Sequence, residues 1–538
     1  MFKKTTLDFK SAGVLSSLVF DYLNKEEKLK SFYTAFPDIN GFEKILKSNP
    51  YANFNREILF TALSKQSQVV ANTSEISQSN ISKLKNKNTF TVTTGHQLCL
   101  FTGPLYFIYK IISTLNIAES LKKKFPEQDF VPVYWMASED HDFEEVNNFN
   151  ALGKTIVWKS SQTGAVGDFK TEELKKLFPS IQELFGRSEN ANYLVDLFEK
   201  AYLKHSNLAD ATRFLVNELF GEYGIVIIDG NEAEFKHQFK EEFKKDIFDN
   251  THFNLVNDSI KALINMGYTS QVNPRAINCF YIEEGLRTRI EKTGEVFNLV
   301  GSKRNFLKKE LEAIIEHTPE KISPNVVLRP LYQQMILPNI AYVGGPGELA
   351  YWLEFKKMFD VSGVVFPILM PRNFVAVVDK ITESKIEKLH FSVKDFYKSE
   401  QELIKELQAN KDTIFNLSSE KETISEFYSK LLERVSAIDK TLSGSVSAEL
   451  KRTLNGFERV TGKANRAIRR KYETEINQLS AIKQKLFPKN VPQERYENFS
   501  SLYLSYGKSF IREIKENCDP LLLEQTIFAE SSFFELSV

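Results

Sequence analysis

A cluster of acidic residues around one histidine is the first place where this sequence could do chemistry. Five carboxylates fall within seven residues, with His141 among them, directly after the apolar stretch VPVYWM. Neighbouring carboxylates raise one another's pKa or need a cation, and a histidine between them can act as an acid or a base. The alternative is a helix start in which Asp142 is the N-cap and Glu145 completes a capping box. Because this alternative leaves Glu139, Asp140 and His141 without a role, we favour a functional one.

The loop after the β-rich stretch FTVTT is a second candidate site. It carries Gly95, His96 and Gln97, and then Gly103 and Pro104 ahead of an apolar helix. Helix N-terminal N–H groups favour a phosphate or a carboxylate, so the loop could bind either. The pattern is neither GxGxxG nor a P-loop. In the alternative interpretation the glycines only form turns and the histidine only satisfies a buried neighbour.

A third candidate lies within residues 323–352, where the chain from Pro330 to Gly347 carries no charge. Glycines in this stretch allow the backbone to approach a ligand closely. Arg329, which we predict at the end of a strand, could bind a carboxylate or phosphate through two hydrogen bonds. Glu348, at the start of the next helix, could hold an ammonium group or a hydroxyl. The alternative is a tight strand–helix turn with no ligand.

A basic helix face is the fourth feature. Six cations fall within residues 459–471: Arg459, Lys463, Arg466, Arg469, Arg470 and Lys471. The simplest interpretation is a solvated helix face, and the alternative is a contact with nucleotide phosphates or RNA. We predict that Lys463, Arg466, Arg469 and Arg470 bind a nucleotide where this face approaches the core, in addition to or instead of the strand-end pocket.

Alternating strands and helices must position the first three candidates. Buried strands are predicted at FTVTT (90–94), FVPVYWMA (130–137), GIVIIDG (224–230) and SGVVFPILM (362–370), with a further strand at VVLRP and an antiparallel meander at 277–300. The meander turns are expected at Glu284–Gly285 and Thr293–Gly294. Ligands of open α/β proteins bind at the carboxyl ends of the strands. A parallel sheet would therefore bring Asp140, His141, Gly95 and Gly345 to one edge.

A long amphipathic segment follows this α/β core. Residues 377–489 contain almost no glycine, and apolar residues recur there at steps of three and four, including Leu450, Leu454, Phe457 and Ile468. The pattern predicts an antiparallel helical hairpin, or coiled coil, joined near residues 410–419. We expect three parts: a core at 1–376 with insertions, the hairpin at 377–489, and a segment at 490–538 that packs back on the core.

The composition indicates an ordinary globular protein. The 538 residues include 70 basic and 70 acidic side chains, and 42% are hydrophobic. The net charge of +0 disfavours a protein that binds nucleic acid over its whole surface, because such proteins are strongly basic. The longest run without Asp, Glu, Lys or Arg, residues 88–109, is too polar and too rich in glycine and proline to cross a membrane. We predict a cytoplasmic protein with neither nucleic-acid nor membrane partners.

The cysteine pattern points to a reducing compartment. Cys99, Cys279 and Cys518 lie far apart and no CxxC occurs, which disfavours a disulfide framework and a zinc ribbon. His96 and Cys99 are spaced like a pair of metal ligands. Because zinc needs three or four ligands, we predict no metal.

Long segments of the chain resemble the bacillithiol biosynthesis cysteine-adding enzyme family, BshC. They are TGHQLCLFTGPLYFIYK (94–110), PVYWMASEDHDFEEVN (132–147), SPNVVLRPLYQQMILPNIAYVGGPGELAYW (323–352) and, more loosely, RAIRRKYETEINQLSAIKQKLFPKNVPQERYENF (466–499). They follow the family's order along nearly the whole chain. The resemblance implies a Rossmann-like core similar to nucleotidyltransferases and class I aminoacyl-tRNA synthetases, with inserted connecting subdomains. It also implies a coiled coil that supports a homodimer.

The resemblance further implies a cysteine ligase that adds L-cysteine to the amine of glucosaminyl malate, giving bacillithiol, through cysteine activated by ATP or ADP. In this picture Asp140 and His141 are catalytic, and orient the incoming amine or accept its proton. Arg329 holds the malate carboxylate. The complete set of residues that we expect to contact substrate is Thr94, Gly95, His96, Gln97, Gly103, Trp135, Glu139, Arg329, Gln333, Tyr342, Gly344, Gly345, Gly347 and Glu348.

Two other functions stay open at this point. One is another nucleotidyltransferase or a tRNA-synthetase-like enzyme on the same core, which a salt-dependent interaction with RNA would reveal. The other is a non-catalytic, nucleotide-binding scaffold that is dimerised by its hairpin. Such a scaffold would bind ATP or ADP without turnover.

Overall fold

A computed structural model describes residues 2–48, 50–51, 54–409 and 415–530 of the chain. These residues form two compact units. The first contains Met1–Ala376 and Gln493–Phe528, and the second contains Val377–Pro492 and the chain from Ala529 onward. In the part of the chain that the model describes, no helix is long and apolar enough to cross a membrane.

The strands are β1 (Phe2–Asp8), β2 (Thr89–His96), β3 (Asp129–Met136), β4 (Asn148–Ala151), β5 (Lys154–Val157), β6 (Val226–Asp229), β7 (Cys279–Glu283), β8 (Leu286–Thr293), β9 (Val296–Leu299), β10 (Asn305–Leu307), β11 (Ile322–Pro324), β12 (Asn339–Gly344), β13 (Ile368–Pro371), β14 (Phe374–Val378) and β15 (Glu524–Glu530).

The α-helices of the first unit span Phe9–Ala12, Ser17–Leu23, Ile39–Lys47, Arg56–Ser67, Glu75–Lys83, Tyr106–Lys124, Phe143–Val146, Phe178–Phe185, Glu189–Phe198, Leu208–Phe220, Ala233–His237, Lys240–Asp249, Thr251–Asn265, Lys308–His317, Arg329–Ile336, Pro346–Glu354, Lys356–Val361, Phe499–Tyr506 and Ser509–Asn517. Those of the second unit span Lys380–Lys388, Glu400–Ala409, Ser418–Ile438, Ser443–Lys471 and Glu473–Leu486.

A five-stranded parallel sheet with the order β13-β12-β2-β3-β6 forms the centre of the first unit. Its strands are apolar and buried, as expected for parallel strands that are covered on both faces. The register pairs Gly95 with Trp135 and Thr93 with Tyr342. This sheet confirms the predicted α/β fold class. The strand predicted at 362–370 is shorter, because regular pairing begins only at Ile368.

The helix Tyr106–Lys124 connects β2 to β3 and is buried along most of its length. Its packing on both strands explains why the helix residues at the end of the uncharged run, YFIY, are apolar. The chain enters this helix through a turn at Gly103, whose φ of 64° favours glycine. A Cβ at this position would come 2.7 Å from Cys99 Cβ.

The predicted meander is an antiparallel part of a second sheet, with the order β10-β9-β8-β7-β11. Its first turn is at Glu284–Gly285, as predicted, and its second is shifted by one residue to Gly294–Glu295. The predicted strand VVLRP is wrong. The strand β11 ends at Pro324, before this stretch, and Arg329 begins the helix Arg329–Ile336. Pro330 lies in the first turn of this helix, where proline is well tolerated.

Two long antiparallel helices, Ser418–Ile438 and Ser443–Lys471, form a hairpin in the second unit. Contacts between Lys421 and Glu458 and between Tyr428 and Thr453 establish the antiparallel direction. The turn lies at residues 439–442, so the predicted junction near 410–419 is wrong; part of that stretch, 410–414, lies outside the described residues. Glycine and proline are absent from the true turn, which is a short 3₁₀ segment started by the Asp439 side chain.

Candidate active site

A cavity of about 270 Å³ opens at the carboxyl ends of β2 and β12. The strand order reverses between these two strands, since β3 and β6 continue on one side and β13 on the other. Ligands of open α/β proteins bind at such a reversal. Ten of the residues predicted to contact substrate line the cavity: Gly95, His96, Gln97, Trp135, Arg329, Gln333, Tyr342, Gly345, Gly347 and Glu348.

Other predicted residues lie near this cavity without lining it: Thr94, Gly103, Gly344, Glu139, Asp140 and His141. The Thr94 hydroxyl is buried and donates to Val343 O at 2.8 Å, joining β2 to β12. The Gly103 carbonyl accepts from the Asn498 side chain at 2.6 Å. The geometry thus gives Thr94 and Gly103 parts in holding the loops of the site.

A buried ion pair joins two of the candidate loops. Lys110 Nζ lies 2.6 Å from Glu348 Oε2 and donates to Gly95 O at 2.7 Å. Glu348 also accepts from the Tyr342 hydroxyl and from Gly345 N–H, each at 2.8 Å. Burial alone would raise the pKa of the Glu348 carboxyl, but the Lys110 charge and these hydrogen bonds lower it overall. The carboxylate is therefore charged, and it fixes the glycine turn against the end of β2.

His96 is a neutral imidazole in this environment. Burial, followed by the charges of Lys110, Arg372 and Arg329, lowers its pKa well below 6.5. Its ring packs against the aromatic rings of Tyr106 and Phe107. A proton on both ring nitrogens would add a cation to a wall that is already positive. His96 thus lines the cavity as a neutral ring, and its Nε2 lies 3.7 Å from Cys99 Sγ.

Two buried donors of the cavity wall have no hydrogen-bond partner among the described residues. They are Arg372 Nε and Gln333 Nε2, in side chains that are only 2% and 3% exposed. Arg372 is held in place by Glu494 at 2.5 Å and by Asn373 O at 2.9 Å. Because an unpaired buried donor is costly, both groups are suited to an acceptor oxygen of a ligand.

Two carboxylates of the acidic cluster and its histidine each contact a different cationic side chain. Asp140 pairs with Arg329 at 3.3 Å, and Glu139 forms an ion pair with the fully buried Lys236. His141 Nδ1 lies 2.6 Å from Arg287 Nη1. Asp142 precedes a short helix but its side chain makes no capping hydrogen bond, so the capping-box alternative is wrong.

Asp140 lies beside the cavity, because it forms an ion pair with Arg329, and Arg329 lines the cavity. Gln97 donates to Glu145 Oε2 at 2.8 Å and connects the first candidate loop to the acidic one. The structure therefore places the three predicted segments around one cavity. The catalytic roles of Asp140 and His141 stay predictions.

The predicted nucleotide contacts lie elsewhere in the chain. Lys463, Arg466, Arg469 and Arg470 are exposed on the helix Ser443–Lys471 of the second unit and do not line the cavity. Their role in nucleotide binding stays a prediction. Among the described residues, no group of three or more His, Cys, Asp or Glu side chains is arranged to hold a metal.

The comparison with known proteins now decides the family. The family model for the N-terminal Rossmann-like domain of bacillithiol biosynthesis BshC matches residues 2–373, and that for the C-terminal coiled-coil domain of BshC matches residues 375–530. The chain belongs to the BshC family. The parallel sheet is thus a Rossmann-like domain of the BshC type, and the hairpin belongs to its coiled-coil domain.

Several BshC relatives are similar along nearly their whole length. Proteins of Flavobacterium johnsoniae and Flavobacterium psychrophilum are each 41% identical over 519 residues, covering 96% of this chain and 97% of the relative. One of Cytophaga hutchinsonii is 38% identical over 507 residues, covering 94% and 95%. Each is named "Putative cysteine ligase BshC". A solved chain of Campylobacter jejuni, called a "putative arginyl t-RNA synthetase", matches with 10% identity, 82% and 98% coverage and a TM-score of 0.19, and carries no argument.

Sequence reasoning missed six polar or aromatic side chains of this BshC cavity: Tyr106, Lys110, Tyr351, Trp352, Arg372 and Arg495. Lys110 left a usable signal, because a single lysine inside an apolar helix needs a buried partner. Arg372 directly follows the buried strand β13, at the same sheet edge as Gly95. Arg495 comes more than 100 positions after Arg372, the lining residue that precedes it in the chain, and only the return of the chain to the first unit brings it there.

Proposed function

We propose that this BshC protein is a cysteine ligase, which joins the carboxyl group of L-cysteine to the amine of glucosaminyl malate and so forms bacillithiol. The names of the full-length relatives support the class of reaction. The chemistry of the cavity supports the class of substrate. We place the reaction in the cytoplasm, in keeping with the free thiols of the described cysteines.

The observation that carries this proposal is the charge of the cavity wall. Four cationic side chains, Lys110, Arg329, Arg372 and Arg495, line it together with one carboxylate, Glu348. Three of these cations already pair with carboxylates: Lys110 with Glu348, Arg329 with Asp140 and Arg372 with Glu494. Arg495 and the partnerless Arg372 Nε are the groups that favour a ligand anion. Cysteine carries one carboxylate and malate supplies two. The donors Arg372 Nε and Gln333 Nε2, which have no partner among the described residues, can offer a carboxylate two hydrogen bonds in a buried part of the cavity wall.

The size of the cavity supports a small-molecule substrate. A volume of about 270 Å³ is close to the lower end of small-molecule sites, which begin at roughly 300 Å³. Single-stranded RNA would need an open, basic groove with exposed aromatic rings. The tRNA-linked alternative is therefore less well supported than the ligase.

Amide formation from a free carboxylate requires an activated acyl group. In the proposed reaction a nucleotide, ATP or ADP, supplies the activation, and the amine nitrogen then attacks the cysteine carbonyl carbon. The phosphate-bearing group leaves and the amine loses a proton. Cationic groups such as Arg329 and Arg372 would stabilise the charge on the departing oxygen. Asp140, which pairs with Arg329, would orient the amine.

The direct test is to incubate the purified protein with cysteine, glucosaminyl malate and each of several nucleotides, and to detect the thiol product by mass spectrometry. Product that depends on all three components supports the ligase. A folded protein that gives no product with any nucleotide rejects it. Nucleotide binding without turnover would favour the scaffold alternative.

A matched pair of variants tests the anion-binding wall. Gln333→Glu changes one donor into an acceptor and adds a negative charge at nearly constant volume. We expect the KM for glucosaminyl malate or cysteine to rise at least about tenfold, the effect of roughly 1.4 kcal/mol. Gln401→Glu, on an exposed helix face of the second unit, adds the same charge at a residue outside every predicted site and should leave KM unchanged. Equal KM values in both variants would remove Gln333 from the substrate site.

A further inference from the structure

Arg287 and His141 form a contact that sets the protonation of the histidine. Arg287 Nη1 lies 2.6 Å from His141 Nδ1. A guanidinium has five N–H donors and no acceptor, so it donates in this contact and Nδ1 must offer its lone pair. The proton of a neutral imidazole is then on Nε2. In a doubly protonated ring, Nδ1 would carry an N–H that points at the Arg287 guanidinium 2.6 Å away, which is unfavourable because both groups are positively charged donors.

Contacts with Ser323 and Phe280 hold Arg287 next to His141. Its Nε donates to the Ser323 hydroxyl at 3.1 Å, and its guanidinium stacks on the Phe280 ring at 4.1 Å. Phe280 also contacts the His141 ring, with 5.2 Å between ring centroids. These partners come from the neighbouring strands β7 and β11, so the antiparallel sheet itself holds the guanidinium in place.

The charges around His141 agree with a neutral ring. Burial lowers its pKa, and the Arg287 charge lowers it further, with a smaller contribution from Arg289. Asp142 and Asp140 act in the opposite direction without reversing the shift. Asp142 Oδ1 is 3.8 Å from Nε2, which is beyond a direct hydrogen bond. The Nε2–H is therefore available, in a side chain that is 37% exposed.

We propose that Arg287 is a positioning residue that holds His141 as a neutral, Nε2-protonated imidazole. His141, which lies beside the cavity without lining it, then donates a hydrogen bond to an oxygen of a substrate that extends to the acidic loop, and it does not act as the base. The substrate oxygen is that of a carboxylate, an activated acyl group or a phosphate. The part of this inference that concerns substrate rests on the proposed function. The part that concerns the ring proton does not. It revises the predicted role of His141 in accepting the amine proton, because its only free lone pair faces Arg287.

The ring proton can be tested without enzyme activity. In the full chain labelled with ¹⁵N-histidine, the His141 signals are assigned by their loss in His141→Gln. We expect an unprotonated Nδ1 and a protonated Nε2 at pH 8, with a midpoint of protonation below 6.5. Arg287→Met should introduce the second tautomer and raise the midpoint of protonation, whereas Arg287→Lys should preserve the wild-type pattern. A wild-type His141 that is protonated on Nδ1, or that becomes doubly protonated near its ordinary pKa of 6.5, overturns the inference.

Two substitutions of His141 test the donor role. If His141 were a base, both would reduce activity equally. Glutamine retains an N–H donor but accepts no proton, and leucine does neither. We expect His141→Leu to lower kcat by about 10²–10³-fold, as loss of one preorganised donor does, and His141→Gln to lose at least about tenfold less. Equal losses in the two variants would reject the donor role. If wild-type protein makes no bacillithiol, the proposed function fails, while the NMR result still decides the claim about Arg287.

Discussion

Arg329 Nη1 lies 3.3 Å from Asp140 Oδ2, and this ion pair connects the helix after β11 to the loop after β3. The two residues are 189 positions apart in the chain. Both side chains are about one quarter exposed, and Arg329 lines the cavity. The pair therefore brings a carboxylate of the acidic cluster to the edge of the candidate active site and orients the guanidinium that faces the cavity.

The first prediction concerns Asp140→Asn, which keeps the shape of the side chain and removes its charge. We expect product formation to fall by about 10²-fold or more, because the amine loses its acceptor and Arg329 loses its anchor. Repulsion among the neighbouring acids would by itself predict a stabilised variant. The Arg329 pair reverses that expectation, and we predict a lower melting temperature by calorimetry.

Asp142→Asn is the matched control for this substitution. Asp142 belongs to the same acidic cluster but makes no capping hydrogen bond and has no ion pair with Arg329. Its variant should keep most of the activity and the wild-type melting temperature. Full activity in the Asp140 variant would remove Asp140 from the catalytic group.

The second prediction concerns the buried pair of Lys110 and Glu348. Lys110→Met should reduce the free energy of unfolding of the first unit by about 3–5 kcal/mol, because it leaves a buried carboxylate without its cation. Lys123→Met on the exposed end of the same helix should change it by no more than about 0.5 kcal/mol. Urea unfolding monitored by tryptophan fluorescence measures both.

A double variant separates the ion pair from simple packing. Lys110→Met combined with Glu348→Leu removes both charges, so part of the lost stability should return. A double variant whose loss equals the sum of the two single losses would show that Lys110 and Glu348 do not interact energetically.

The third prediction concerns a buried histidine outside the site. His252 Nε2 lies 2.8 Å from Glu242 Oε2, and its Nδ1 lies 3.5 Å from Asp246 Oδ1. Burial lowers the pKa of His252, but the hydrogen bonds and charges of Asp246 and Glu242 raise it overall above 6.5. Burial raises the pKa of Glu242, but His252 and Lys245 lower it to about 2.

The sign of the pH dependence follows from these two shifts. The His252 contribution to stability is fully present below pH 6.5 and is lost as the pH rises through its raised pKa. The Glu242 contribution is present above pH 4.5 and is lost as the pH falls toward about 2. Removal of His252 should therefore cost most between about pH 4.5 and pH 6.5.

His252→Gln tests this window directly. At pH 6 we expect a loss of about 3–5 kcal/mol in the free energy of unfolding, since the buried Asp246 loses its neighbouring cation and Glu242 retains only Lys245. The loss should shrink in alkaline solution. His237→Gln, at an exposed position, is the control and should show neither effect. A loss for His252→Gln that is the same at all pH values would contradict a charged His252.

The fourth prediction concerns the proposed homodimer. Three large apolar side chains of the two hairpin helices are more than half exposed, Phe427 at 61%, Ile438 at 84% and Val460 at 52%. We propose that a second copy of the hairpin covers them, and expect light scattering to give a mass near twice 61.9 kDa. Phe427→Asp combined with Val460→Asp should halve this mass, because each buried carboxylate would oppose association.

Ile264→Asp is the control for the dimer experiment, because Ile264 is also 52% exposed but lies in the first unit. It should leave the mass unchanged. A wild-type protein that is monomeric at micromolar concentration would reject the dimer and leave the hairpin intact.

The fifth prediction separates two places for the nucleotide. If the basic face binds ATP or ADP, Arg466→Glu combined with Arg469→Glu should abolish the rise in melting temperature that the nucleotide causes. If the cavity binds it, Arg495→Glu should do so instead. Lys451→Glu, an exposed position on the same helix as Arg466, controls for charge reversal alone. Unchanged stabilisation in the folded Arg466 and Arg469 variant would place the nucleotide away from the basic face.

The sequence by itself determined the parts of the protein that depend on local patterns. The β-rich run FTVTT and the apolar run FVPVYWMA predicted parallel strands, since strands that are buried on both faces lack charged side chains. Glycines next to strand ends located the loops of the cavity. The steps of three and four in residues 377–489 predicted the long helices, because helix amphipathicity has a period of 3.6 residues.

Only the tertiary structure decided which charges meet. Three contacts join residues that are at least 122 positions apart in the chain: Lys110 with Glu348, Arg287 with His141, and Arg372 with Glu494. No local sequence pattern encodes such a pair. The start of a helix at Arg329 and the hairpin turn at 439–442 also escaped prediction, because tertiary packing selects among local conformations of similar energy. The roles of the chemical groups therefore depend on the fold: a histidine in an acidic stretch becomes a neutral donor because a distant arginine reaches it.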